Sequence, residues 1–404
     1  MQCRHHTLTR PSYPVEIADV FRLHAAQLTG LSPRQLKTVS NITSCRTQAL
    51  GGHMLSCDNP HCSYTEISYN SCRDRHCPKC RSLAKERWIF DRSQELLPVD
   101  YFHIVFTIPK ILAPVILQNK SSGYQLLFTC VSQTLQEVAA NPVNLGASIG
   151  FIAVLHTWDQ TLLFHPHIHC IVPGGGISKD ASAWTHAPKH FFLPVKALSS
   201  VFRGKFLSRL ERLFNQNKLS FNGSCSPLAS SSNFKRLLVV SCSSNWVVYS
   251  KPSFHGPHSV INYLGRYTHR VAISNDRISS LDSGTVSFSY RDRRHGNALK
   301  SRSLQAEAFM RRFLLHILPK GFPKIRFFGF LANRVRKHKL SLCLKLLHIP
   351  PNQRIKKTCP SSWRELFLLI TGRDLSACPA CDSGRLFTAQ ILPPSTAPPT
   401  PAYT

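Results

Sequence analysis

The chain has 404 residues, 43% of them hydrophobic, and carries 50 Lys+Arg against 20 Asp+Glu for a formal charge of +30. Such a length supports a sizeable core divided among two or three units, and the charge excess calls for a polyanionic partner, most simply nucleic acid. There is no apolar stretch of about 18 residues able to span a bilayer, and the opening MQCRHHTLTRPSY lacks the apolar core of a secretory signal. A cytoplasmic, nucleoid-associated protein with no membrane partner is expected, in which the 15 cysteines are metal ligands or buried thiols rather than disulfides.

Residues 15 to about 40 carry apolar residues at helical spacing, interrupted at Gly30 and Pro33, and predict two helices. Cysteines and histidines crowd residues 45–80. LAKERWIFDRSQELL then reads as a helix running to Pro98, YFHIVFTI (101–108) as a strand, and the stretch to about 140 as a long helix. SIGFIAVLHTW and FHPHIHCIV predict two strands joined by a short turn. Residues 195–217 predict an amphipathic helix, KRLLVVSC and NWVVYS a second strand pair, and HSVINYLGRYTHRVA a short helix. After about residue 285 the chain is strongly basic (YRDRRHGNALKSRS), AEAFMRRFLLHILP is helical up to Pro319, and the Pro- and Thr-rich ILPPSTAPPTPAYT reads as a disordered tail. No internal repeat is visible.

The crowded segment contains Cys45, His53, Cys57, Cys62, Cys72, His76, Cys77 and Cys80. Tetrahedral zinc takes thiolate and imidazole ligands, and pairs separated by two to four residues let one turn supply two of them. CPKC and Cys57 to Cys62 both fit. At least one structural zinc is expected, with room for a second, and a zinc unit on so basic a chain points to gripping nucleic acid rather than to chemistry. The later CPAC, Cys378 and Cys381, offers only two ligands; Cys359 is a candidate to join it.

In HPHIHC, strand alternation puts His165, His167 and His169 on one face and Pro166, Ile168 and Cys170 on the other. Two histidines flanking one apolar residue can hold a divalent cation from that face. About a hundred residues later INYLGRYTHR places Tyr263 and Tyr267 one helical turn apart, ringed by Arg266, His269 and Arg270. Two aromatics at that spacing pack cores more often than they catalyse, but a packing face has little use for the surrounding charge. Together the two motifs suit attack of a tyrosine on a metal-polarised phosphodiester, which leaves a covalent phosphotyrosine link.

From CRTQALGGH and SCRDRHCPKC, through HTWDQTLLFHPHIHCIVPGGG and YLGRYTHRVAIS, to RRFLLHILPKGF and LANR, the chain resembles the rolling-circle HUH transposases of the IS91 type. The resemblance runs through most of the chain, with its motifs in the family's order. It implies an α+β fold: an antiparallel HUH-type sheet flanked by helices, preceded by a small zinc-binding domain. It places the histidine motif on His167 and His169, the nucleophiles on Tyr263 and Tyr267, and His165 in an accessory role, with Mg²⁺ or Mn²⁺ as the working ion. For the third ligand the partner strand offers His156 and Gln160, of which Gln160 is preferred. Expected units are an N-terminal helical segment (1–42), a zinc-binding domain (43–97), a catalytic domain (98–350) and a CxxC segment with tail (351–404). Arg266, Arg270, Arg291, Arg293 and Arg294 are expected to line a groove for single-stranded DNA ends of the parent element, and a homo-oligomer is compatible with this. Two other readings are weighed: a plasmid replication initiator or relaxase, which would not need the zinc segment, and a zinc-dependent DNA-binding protein without catalysis.

Overall fold

The computed structural model describes residues 15–80, 82–252, 265, 272–292, 295–350, 360 and 362–395. The chain is α+β, with helices packed on antiparallel sheets. It opens with α1 (Ile17–His24) and α2 (Pro33–Ser44). Pro33 sits at the start of α2 behind a capping box in which Ser32 and Gln35 bond reciprocally. Strands β1 (Gly52–Cys57) and β2 (Thr65–Tyr69) form a hairpin, and α3 (Ser82–Ser93) leads into β3 (Tyr101–Thr107). There follow α4 (Ala113–Gln118), α5 (Lys120–Ala140), the short β4 (Ala147–Ser148), and the paired strands β5 (Gly150–Trp158) and β6 (Phe164–Pro173). Next come β7 (Gly175–Ser178), β8 (Trp184–His186), α6 (Val195–Asn215), α7 (Ser231–Ser243) and β9 (Val248–Pro252). The basic region forms a three-stranded sheet of β10 (Ile278–Asp282), β11 (Thr285–Asp292) and β12 (Ala298–Gln305), followed by the helix Ala306–Leu315. Strand β13 (Ile325–Gly329), helices Arg336–Leu346 and Trp363–Thr371, and β14 (Leu386–Leu392) complete it.

The centre is a five-stranded sheet in the order β13-β5-β6-β3-β9, antiparallel throughout. Alternation sorts its residues. Phe102, Ile104 and Phe106 of β3, Phe151, Ala153 and Leu155 of β5, and Ile168, Cys170 and Val172 of β6 share one face and join a single apolar core with helices α4 to α7. Burial there pushes the Cys170 thiol well above its ordinary range. The glycines after β6 mark close backbone approach: a Cβ on Gly176 would lie 2.7 Å from the Ser148 carbonyl oxygen.

Two elements differ from the sequence expectation. KRLLVVSC is helical, within α7, rather than a strand. Its β-branched residues suggested a strand, yet Phe234, Leu237 and Ser241 recur at helical spacing and are buried, while Val239 and Val240 are exposed. The proline-rich end begins later than expected, because Ile391 and Leu392 lie in β14; residues 396–404 lie outside the described part.

The packing also crosses two expected boundaries. Ile17, Phe21 and Ile42 of the N-terminal helices share one core with Cys45 and Cys77 and with Ile278, Val286, Phe288, Phe309 and Phe313. Strand β14, from the C-terminal segment, pairs antiparallel with β1, Gly52 facing Leu392 and Cys57 facing Leu386.

Candidate metal centres and active site

Three clusters of metal-ligating side chains form among the described residues, each with its donor atoms within 4.8 Å of one another: Cys45, Cys72, Cys77 and Cys80; Cys57, Cys62, Cys378 and Cys381; and His156, His167 and His169.

The first cluster draws Cys45 from the end of α2 and the other three from the turns before α3. Cys45 and Cys80 sulfurs are 3.3 Å apart and Cys72 and Cys80 sulfurs 3.6 Å. Four thiolates about 2.3 Å from a zinc ion sit roughly 3.8 Å from each other, so the donor set and spacing fit structural zinc.

His76 and His53, both expected as ligands, lie outside these clusters. His76 is buried with both ring nitrogens engaged: Nδ1 is 3.0 Å from Asp74 Oδ1, and Nε2 accepts from the Leu318 backbone N–H at 3.2 Å. Burial lowers its pKa, so it stays neutral and donates to Asp74. Burial opposes ionisation of Asp74, but the side chain and backbone of His76 and the amide of Asn41 outweigh it and hold that carboxylate well below its normal range. Arg75 donates to the Phe322 carbonyl at 2.7 Å. RDRH is therefore the latch that fastens the zinc segment to residues 318–322. His53 lies mid-strand in β1, opposite Ser68 and Ile391.

The histidine cluster occupies the sheet face opposite the apolar core. His167 and His156 are cross-strand partners, Val154 faces His169, and Val105 of β3 faces His169 from the other side. His156 and His169 are buried, 3% and 5% exposed, and their ring centroids are 4.2 Å apart. His156 thus occupies the third position for which Gln160 was preferred. The strand alternation invoked for Gln160 stops short of it: the pairing is irregular between His156 and Trp158, β5 ends at Trp158, and Gln160 lies in the following turn. That turn is tied by Asp159, whose carboxylate accepts from the Thr161 and Leu163 backbone N–H groups.

Second contacts set the tautomers. His167 Nδ1–H donates to the His165 carbonyl at 2.6 Å, which leaves Nε2 as the lone-pair nitrogen and gives His165 a backbone part. His169 Nδ1 is 2.8 Å from Nε2 of His103, whose ring stacks on it at 5.0 Å. Three imidazoles converging from two adjacent strands are a fit donor set for a divalent cation. Sequence reasoning missed His103; the signal was alternation in YFHIVFT, where His103, Val105 and Thr107 are the half-buried positions. It also missed Tyr249 and Lys251 of β9, which face Val105 and His103 and extend the histidine face to an exposed edge.

Tyr263, Tyr267, Arg266, Arg270, Arg293, Arg294 and Cys359 lie outside the described residues. Arg291 is exposed on β11 and donates to the Asn297 carbonyl at 3.3 Å. Between the two tyrosines, Gly265 is described: it is helical and buried, and an added Cβ would collide with the Ile89 side chain of α3. Trp88 of α3 packs on a cluster containing Val154 and Ile171, both on the histidine face.

A sequence model described as "Putative transposase" matches residues 150–339, the stretch holding the histidine cluster, and one described as "Transposase zinc-binding domain" matches residues 17–108. A protein named "Putative transposase y4qJ" from Sinorhizobium fredii (strain NBRC 101917 / NGR234) is 47% identical over 388 residues, covering 95% of this chain and 97% of its own length. The chain belongs to the IS91 transposase family. A more distant relative of the transposase, "Transposase for insertion sequence element IS801" from Pseudomonas savastanoi pv. phaseolicola, is 27% identical over 386 residues, 95% of this chain and 90% of its own. No solved structure matches the transposase. Its role is enzymatic DNA processing, its partner is DNA, and its cysteine-rich N-terminal region is a zinc-binding domain. Among the described residues no helix is long and apolar enough to cross a membrane.

Proposed function

We propose that the transposase nicks and rejoins single-stranded DNA at the ends of its own insertion sequence by a rolling-circle route, with residues 98–350 as the catalytic unit. The observation that carries this is the convergence of His156, His167 and His169, from two adjacent strands, on the sheet face opposite the core formed with α4 to α7. These residues would hold Mg²⁺ or Mn²⁺, which supplies Lewis-acid polarisation of the scissile phosphate. Tyr263 or Tyr267 attacks phosphorus through its phenolic oxygen. The Tyr–O–P bond forms as the P–O3′ bond breaks, the 3′ oxygen leaves as a hydroxyl with the proton taken from the phenol, and the 5′-phosphotyrosine conserves the bond energy for rejoining. Gly265, which lies between the two tyrosines in sequence, seats closely against Ile89 of α3, and Trp88 of α3 packs beside the histidine face, which supports assigning the tyrosines to that site. Lys251 and Tyr249 on the exposed edge suit a phosphate and a stacked base, and Arg266, Arg270, Arg291, Arg293 and Arg294 suit the backbone of the strand.

The test is incubation with a labelled single-stranded oligonucleotide from the element's end and Mn²⁺, followed by denaturing gels. A protein–DNA adduct is expected. Tyr263→Phe and Tyr267→Phe should each keep some nicking but impair transposition, and the double variant should form no adduct. An adduct formed by the double variant would discard the tyrosine assignment. Absence of any adduct from the unaltered protein would discard the mechanism.

A further inference from the structure

We propose a second zinc site, formed by Cys57, Cys62, Cys378 and Cys381, that clasps the C-terminal segment onto the N-terminal zinc-binding domain. Two ligands come from the end of β1 (Cys57) and the turn after it (Cys62), and two from the CPAC turn, 316 residues further along between Cys62 and Cys378. The match to the zinc-binding domain, residues 17–108, takes in only the first pair.

Sulfur spacing identifies the occupant. Cys57 and Cys381 sulfurs are 3.6 Å apart and Cys62 and Cys378 sulfurs 3.8 Å. A disulfide needs about 2.05 Å, whereas tetrahedral thiolates around zinc at about 2.3 Å sit roughly 3.8 Å apart.

The backbone around the sulfurs is arranged as ligand-bearing turns. The Ala380 N–H points at Cys378 sulfur from 3.4 Å, and the Asn59 amide at Cys381 sulfur from 3.7 Å, each stabilising negative charge on its thiolate. Asn59 shapes the first turn, its carboxamide oxygen accepting from the His61 N–H and its carbonyl from the Cys62 N–H. The two turns are stitched together where Asp58 and Arg385 exchange backbone contacts: Asp58 N–H to the Arg385 carbonyl at 3.0 Å, and Arg385 N–H to the Asp58 carboxylate at 2.6 Å. Gly384 crosses so close to the sulfurs that a Cβ there would meet Cys381 Sγ at 2.8 Å and collide with Cys57 Sγ.

The clasp is less sheltered than the first cluster. Cys45 and Cys77 are 0% and 1% exposed within an apolar core, whereas in the clasp only Cys378 is buried, at 7%. Chelators and thiol reagents should therefore open the clasp first.

The experiment uses the full chain. Elemental analysis of the reduced, purified protein should give two zinc ions per chain, and one for the double variant Cys378→Ser/Cys381→Ser. In case that variant folds poorly, the unaltered protein is alkylated during slow zinc removal and its cysteines are read by mass spectrometry. Cys57, Cys62, Cys378 and Cys381 should be protected at first and become reactive together, ahead of Cys45, Cys72, Cys77 and Cys80. One zinc per chain in the unaltered protein, modification of Cys378 and Cys381 while Cys57 and Cys62 stay protected, or a disulfide between the two pairs would each overturn the proposal.

Discussion

The two faces of the central sheet are built from the same strands and differ in everything else. One is phenylalanine, isoleucine and leucine pressed onto α4 to α7; the other carries five histidines, His103, His156, His165, His167 and His169, beside a smaller apolar cluster that includes Ile152, Val154 and Ile171. The apolar face removes its area from water and stabilises the fold by the usual hydrophobic term. A face of imidazoles gains little that way, and each buried ring costs free energy unless something satisfies its nitrogens. The difference teaches that the larger core stands on one face while the histidine end of the other is left available for chemistry, so substitutions in that core and at the histidines should separate stability from activity.

The largest effect is expected from the apolar face. Phe106, fully buried, points into the helix layer, and Phe106→Ala should cost about 3–5 kcal/mol of unfolding free energy by denaturant titration. Activity per folded molecule should stay near normal. On the opposite face His167→Ala should change unfolding by less than about 1 kcal/mol yet reduce adduct formation by about 10³-fold or more, through loss of the polarising ion. A variant as destabilised as Phe106→Ala would make the histidines packing residues and erase the contrast.

His316 sharpens the comparison through pH. Burial lowers its pKa to about 4, from an ordinary 6.5, as it bridges Thr157 and the Leu162 carbonyl behind the β5–β6 turn. Because the unfolded state binds the proton more tightly, its contribution is fully present above about pH 6.5 and is lost as pH falls toward 4. This amounts to about 3 kcal/mol over that window. Thermal melts of His316→Gln should show a shallower acid loss than the unaltered protein; parallel curves would remove His316 as the cause.

The smallest effect concerns His103, which touches His169 rather than the site itself. Its hydrogen bond orients the ring and sets the tautomer, and such partners are worth about 10–100-fold in metal affinity. His103→Phe keeps the stacking and loses the hydrogen bond. It should raise the Mn²⁺ concentration for half-maximal nicking by that factor while leaving the rate at saturating Mn²⁺ near normal.

Much of this was legible in advance because it is written in short-range periodicity. Alternation in HPHIHC and in FIAVLHTW sent histidines to one face and apolar residues to the other, and the structure keeps that sorting. Where local signals conflicted, sequence reading failed: the β-branched run in KRLLVVSC looked like a strand, but burial of Phe234 and Leu237 made it a helix. His76 looked like a zinc ligand by spacing, and only its contacts with Asp74 and Leu318 show the ring committed elsewhere.

By itself, the sequence determined the element types over most of the chain, the basic character, and the local ligand pairs, because these depend on neighbours within a few residues. Tertiary structure alone decided which pairs meet. Cys57 and Cys62 join Cys378 and Cys381 because β14 adds to the edge of β1; His156, rather than Gln160, reaches the histidine pair because β5 ends at Trp158; and the N-terminal helices share a core with residues some 250 positions away. No local rule specifies such meetings. They follow from closing long loops, whose entropic cost rises only slowly with length, onto complementary strand edges and apolar faces that repay it.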